Sequence, residues 1–341
     1  MMQRQTTFGC ALAISAVVLV GCSEKREDVK PDPSEMVVPP SVPAATPVES
    51  PPTDPSASNV QPPSKPSGQV DDPNWMCPPG TSGAKMVLIP VKSGKPYCID
   101  ERGATYGEYG KFVEAKGKDF DGQPPECAWN DDYGPVVEWE EPGIADLPPS
   151  KCGPSLAEAH PDRVLQCIDF CDAWAFCASS GKRLCGLRGA EPGKVTKVDR
   201  DADGPGNDRL ATFATSLESE WFNVCSQGGT TKLPYGNTYE PGRCVDETKM
   251  AAEGDKALNV ADTSNNACHG TMPPYDKVYD MGGSVAQWVN LCSGEICGSL
   301  GGHRGPDHRG CADGFGMAYM REFPGGVRCC ADAVAKGVEG R

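Results

Sequence analysis

The sequence predicts an α+β domain, irregular and rich in disulfides, and three observations carry that class. One apolar run has strand composition, and three other stretches repeat apolar residues at helical spacing. Between them the chain is dominated by Gly, Pro, Asn and Asp, with 40 glycines and 33 prolines in 341 residues. Of the 18 cysteines, all but Cys10 and Cys22 follow residue 76. An even number of cysteines points to disulfides rather than metal ligands wherever a chain is exported, as the N-terminus leads one to expect of this one. A mean hydropathy of −0.44 fits a cross-linked, loop-rich domain better than one held by a large apolar core.

The chain begins MMQRQTTFGCALAISAVVLVGCSEKRED. Arg4 precedes an uncharged apolar run from Phe8 to Val20. That run is short for a bilayer span and has the length of a secretory signal core. It closes in Leu19-Val20-Gly21-Cys22, which resembles the lipobox of bacterial lipoproteins. The resemblance implies a signal peptide over 1–21 and lipidation of Cys22 as the first mature residue. Inner-membrane lipoproteins often carry Asp after that cysteine, so Ser23 favours an outer-membrane location. Residues 31–73 then hold 13 prolines in 43 positions. Such a segment buries too little apolar surface to offset its ordering entropy, so 22–75 reads as a lipidated, disordered tether.

The folded domain is expected over 76–331, with 332–341 as a tail. Met86-Val-Leu-Ile-Pro90 reads as a buried strand bounded by Gly83 and Pro90. Cys77 and Cys98 flank it and are expected to pair. Thr105 and Glu108 form a capping box for a helix that stops at Gly117, with Tyr109, Phe112 and Val113 on one face. A second helix is expected over 169–180, with Phe170, Trp174, Cys177 and Ala178 on one face. A third is expected over 216–225, carrying Leu217, Trp221, Val224 and Cys225 at i, i+4, i+7 and i+8.

Eight stretches, in order, carry a family resemblance: MVLIP (86–90), YCID (97–100), TYGEYGKFVEAKG (105–117), CDAWAFCASSGKRL (171–184), LESEWFNVCSQGG (217–229), LPYGN (233–237), YDMGGSVAQWV (279–289) and GGVRCC (325–330). Together they resemble the formylglycine-generating enzyme, or sulfatase-modifying factor, family. The resemblance implies an irregular fold related to C-type lectins, often with bound calcium. It also implies a disulfide between Cys177 and Cys329. An insertion of about thirty residues between Cys185 and Leu217 departs from the family pattern.

That insertion holds Asp199-Arg-Asp201-Ala-Asp203-Gly204-Pro-Gly-Asn207-Asp208. Alternating carboxylates before a glycine turn suit calcium, a hard cation that takes oxygen ligands. Leu210 at the twelfth position excludes an EF-hand, and the alternative is a solvated acidic loop. A second, weaker calcium position is implied by the resemblance at Ser284 and Gln287. There the family's Asn and Glu are replaced, and the loss of a carboxylate lowers the expected affinity.

The stretch GGHRGPDHRGC, residues 301–311, decides the catalytic question. Copper-dependent members of the family use two cysteines five residues apart, shortly after Gly-Gly-Ser. Matching Gly301-Gly302 to those glycines places Cys311 on the second cysteine and Pro306 on the first. Two thiolates suit Cu(I), and one does not make that site, so copper is not expected. His303, Asp307 and His308 beside Cys311 offer an alternative metal set. The plainer reading is a glycine-rich surface loop with solvated histidines and Cys311 in a disulfide, with Cys225 as one candidate partner. The family's iron-dependent branch takes histidines from a preceding helical domain, whereas a proline tether stands here.

A net charge of −15 excludes nucleic acid and anionic lipid surfaces as partners through charge. No GxxxxGK[ST], HExxH or GxSxG motif occurs. The expected function is a surface-tethered lipoprotein whose domain is non-catalytic, binding an envelope protein, peptide or glycan or serving as a structural envelope component. The alternative is an oxidase of peptidyl cysteine, or a related metalloenzyme, using Cys311 with a second cysteine that the alignment leaves unassigned. The two differ in whether Cys311 is a free thiol.

Overall fold

The computed structural model describes residues 74–337, apart from 93, 140–149, 205–206, 265, 303–309 and 323–324. All belong to the second of the chain's two compact units, Lys65–Arg341. The lipobox with Cys22 and the tether up to residue 73 lie outside the described residues, as do His303, Pro306, Asp307 and His308.

The first strands in chain order are β1 (Trp75–Met76), β2 (Met86–Ile89), β3 (Tyr97–Asp100), β4 (Glu138–Trp139), β5 (Ser150–Lys151) and β6 (Arg183–Leu184). The later ones are β7 (Ala286–Ser293), β8 (Ile296–Gly301), β9 (Gly316–Tyr319), β10 (Gly325–Gly326), β11 (Cys329–Asp332) and β12 (Val334–Ala335). Among the described residues the α-helices are α1 (Tyr106–Lys116), α2 (Phe170–Ser179), α3 (Arg209–Ala214), α4 (Glu220–Cys225) and α5 (Glu247–Glu253). Two four-stranded sheets dominate, ordered β2-β3-β11-β6 and β10-β7-β8-β9. The chain's last strand, β12, pairs antiparallel with β1 and so closes the domain against its first residues.

Local chemistry explains the helix boundaries. Thr105 and Glu108 make the reciprocal capping box, and α1 ends at Gly117 with φ of 55°. Asp169 caps α2 by accepting the Asp172 N–H, and Ser180 closes it. Helix α4 is shorter than the apolar spacing predicts. Its cap is Ser219, whose side chain accepts the Phe222 N–H, while the Glu220 N–H donates to the Gly186 carbonyl. Leu217 therefore precedes the helix and is exposed. The insertion folds in part: α3 starts from its Asp208 cap and buries Leu210 and Ala214 against β7 and β8.

Strand β7 is buried on both faces, and its sequence AQWVNLCS carries two buried polar residues, Gln287 and Asn290, among the apolar ones. Trp288 and Cys292 face a core built on α1 and α2, whereas Val289 and Leu291 face one built on β2, β3, α3 and α4. Trp288 packs edge-on against Phe170 and donates its Nε1–H to the Ile168 carbonyl at 2.9 Å. All sixteen domain cysteines are paired: 77–98, 127–171, 152–167, 177–329, 185–330, 225–311, 244–268 and 292–297.

Candidate functional site

Strand β8 ends at Gly301, and Gly302 follows it at the start of the stretch GGHRGPDHRGC. Gly301 and Gly302 have φ of +83° and +80°, and a Cβ on Gly302 would lie 2.2 Å from the Ala286 nitrogen. Both glycines are thus required by backbone shape and close packing, whatever the loop's chemistry. Cys311, at the far end of the loop, is buried and bonded to Cys225 of α4 with a Cα separation of 5.7 Å. Its N–H donates to the Lys232 carbonyl at 2.7 Å. A sulfur in a disulfide is not a thiolate, so Cys311 in this state offers neither a nucleophile nor a Cu(I) ligand.

Beside the end of β8, where Gln287 stands opposite Leu300, lies a buried polar network that sequence reasoning missed. Arg328, on the segment leading into β11, is wholly buried and donates to Gln287 Oε1 at 3.0 Å, the Asp100 carbonyl at 2.7 Å and the Tyr279 carbonyl at 2.6 Å. Burial lowers its pKa to about 10, against the pull of the Asp280 and Asp100 carboxylates, so it remains cationic at neutral pH. Lys182 reaches Asp100 Oδ1 at 2.5 Å and the Ala84 carbonyl at 2.8 Å. Burial pushes Asp100 up to about 6, and Lys182 opposes that rise. The quoted motifs GGVRCC, GKRL and YCID contained all three residues, but a charged residue inside an apolar motif does not reveal its partner.

The same network bears on the weaker calcium position. Gln287 Oε1 accepts the Trp221 Nε1–H at 2.8 Å as well as the Arg328 Nε–H. A cation at that oxygen has to displace two buried donors, one of them cationic. Ser284 is buried with φ of 56°.

In the insertion, Asp199, Asp201, Asp203 and Asn207 are exposed. Asp208 pairs with Arg200 at 2.8 Å, and Asp203 lies 3.4 Å from Arg209. Two of the four carboxylates are therefore neutralised within the loop, which leaves Asp199 and Asp201 without a salt bridge among the described residues.

A third polar cluster sits at the start of α2. Asp172 accepts from Asn130 Nδ2 at 3.0 Å, and its own N–H donates to Asp169. Burial pushes Asp169 up to about 7, and burial followed by the neighbouring Asp169 charge pushes Asp172 well above the carboxylate range. The folded chain thus holds protons that the unfolded chain releases above about pH 4. The pair's stabilising contribution is complete below that pH and is lost as pH rises through about 7 and beyond. Asp172→Asn keeps the acceptor for Asn130 and removes the titration. The variant is expected to lose less stability than the parent between about pH 5 and pH 8, as read by melting temperature. Equal losses in the two proteins would contradict this assignment.

A mixed α/β domain of short strands and capped helices, stapled throughout by disulfides, is the class that fold and site define. The chain belongs to the sulfatase-modifying factor enzyme 1-like domain family, whose model matches residues 87–333. Among solved structures it is similar to PvdO from Pseudomonas aeruginosa, at 17% identity and a TM-score of 0.40, over 74% of this chain and 92% of that one. It is also similar to CarF, at 15% identity and a TM-score of 0.37, over 74% of this chain and 96% of that one. No curated protein matches the chain.

Proposed function

We propose that this chain is an exported lipoprotein, anchored through Cys22 in the outer membrane, whose domain is non-catalytic and acts as a binding or structural component of the envelope. The observation that carries the reading is the state of Cys311. Its sulfur is bonded to Cys225, and Pro306 stands where the resemblance puts the first copper cysteine. A dithiolate centre then lacks one residue and has the other engaged. Calcium is proposed for the insertion loop, where Asp199 and Asp201 supply exposed carboxylates that have no salt bridge among the described residues.

The test uses the full chain in mild detergent, without reductant. Alkylation followed by mass spectrometry is expected to find Cys311 unmodified and linked to Cys225. Cu(I) is expected not to bind, and a peptide bearing the family's CxPxR substrate motif is expected not to turn over. Turnover that depends on Cys311 would overturn the proposal in favour of the oxidase. In the same preparation, a melting temperature indifferent to millimolar calcium or chelator removes the calcium assignment.

A further inference from the structure

A second feature of the domain is independent of the catalytic question. A cavity of about 580 Å³ opens beside β5, within the size range of small-ligand sites. Lys151, His160, Arg163 and Lys256 line it, in a chain whose net charge is −15. The two acids in its lining are already engaged. Glu158 accepts from the Ser155 hydroxyl at 2.8 Å, and Asp255 pairs with Arg163 Nη1 at 3.0 Å. Three fixed cations, Lys151, Arg163 and Lys256, stand against these two carboxylates, so the lining is net positive on an acidic molecule, the arrangement that concentrates anions.

Arg163 is the centre of the arrangement. Its side chain is 13% exposed, and its Nε–H is buried with no hydrogen-bond partner among the described residues. Its backbone is pinned, with the N–H donating to the His160 carbonyl and the carbonyl accepting from Tyr106. Its carboxylate partner, Asp255, is by contrast 81% exposed and so is easily displaced. His160 Nδ1 accepts the Asp162 N–H at 3.2 Å, so the neutral ring carries its proton on Nε2, as a further donor. The wall is held by the Cys152–Cys167 disulfide and by the Gln166 side chain, which donates to the Cys152 carbonyl at 3.1 Å. Gly153 is clamped there, since an added Cβ would lie 2.8–3.0 Å from Gln166, Tyr106 and Cys167. A wall fixed in this way lowers the ordering cost of binding.

We propose that this cavity is a binding site for a small oxyanion, either a carboxylate carried by a hydrophilic molecule or free sulfate or phosphate. The anion takes the place of the Asp255 carboxylate on Arg163, with Lys151 and Lys256 as flanking charges. Guanidinium is the side chain best suited to such a group because its fork matches two oxygens at once.

The experiment is calorimetric titration of the full chain in mild detergent at low ionic strength, with galacturonate, inorganic phosphate, inorganic sulfate and neutral galactose. At least one oxyanion is expected to bind, galactose is not, and high salt is expected to weaken the binding. Preference for galacturonate assigns a sugar carboxylate, and preference for phosphate or sulfate assigns a free inorganic oxyanion. Asp255→Asn frees Arg163 and is expected to tighten binding by about threefold or more, the scale of an exposed ion pair. Lys256→Gln, at an exposed position whose loss leaves the fold intact, is expected to weaken it by a similar factor. The proposal falls if no oxyanion binds at about 10 mM, well above a millimolar dissociation constant. It falls equally if galactose binds as tightly, or if both variants bind as the parent does.

Discussion

Replacing Arg328 with leucine is expected to lower the unfolding free energy by ~3–5 kcal/mol, the cost of breaking a buried charge network from one side. Three acceptors lose the guanidinium at once, on Asp100, Tyr279 and Gln287, although Gln287 Oε1 keeps a second donor, the Trp221 Nε1–H. The buried Asp280 carboxylate loses the cation that most offsets its desolvation, and buried Asp100 loses the lesser of its two, Lys182 remaining beside it. The acceptors also lie on different parts of the fold. Asp100 ends β3 and Gln287 belongs to β7, so one guanidinium ties the two large sheets together. Arg328→Lys restores the charge without the fork and is expected to fall between parent and leucine variant. Urea denaturation of the oxidised protein measures both. A loss below about 1 kcal/mol for leucine would show that the network contributes no more than a surface pair.

The second large effect concerns the two disulfides that anchor β11. Cys177–Cys329 and Cys185–Cys330 close loops of 152 and 145 residues. With either bond intact, the other constrains only a ring of about ten residues. Loop entropy then makes removal of one pair, as Cys177→Ala with Cys329→Ala or the equivalent change at Cys185 and Cys330, cost ~3 kcal/mol. Removing both opens a loop that the Cys225–Cys311 bond still shortens to about 60 residues, and is expected to cost ~7 kcal/mol, more than the two single losses added. Such a loss is comparable to the total stability of many domains, so the fourfold variant is expected to be largely unfolded at room temperature. Denaturation midpoints for the three variants decide it. Simple additivity, or a fourfold variant with near-parental stability, contradicts the loop argument.

Reading the sequence placed the local structure well where the deciding contacts span three or four residues. The Thr105–Glu108 capping box and the Asp169 cap both act over three residues and set their helix starts. Where a distant contact competes, the spacing misleads. Leu217 has the periodicity of a helix face, but Ser219 bridges to Leu187 and starts α4 two residues later than Leu217. The site divides in the same way. Pro306 and Cys311 are legible as residues, because spacing to the glycines is a one-dimensional property. The partner of Cys311 is 86 residues away, and spacing alone left Cys225 as one candidate among several.

By itself, then, the sequence determined the family, the oxidised character of the domain, the two glycines at the end of β8 and the absence of a second cysteine at Pro306. Tertiary structure alone decided which cysteines meet, where Arg328 finds its acceptors, and that Lys151, Arg163 and Lys256 surround one cavity. The reason is range. A cap or a turn is a bargain between neighbours, whereas Arg328 and Asp100 stand 228 residues apart and meet only because β3 and β11 pair. Burial then gives those meetings their energy, since a charge excluded from water must find its partner within the fold.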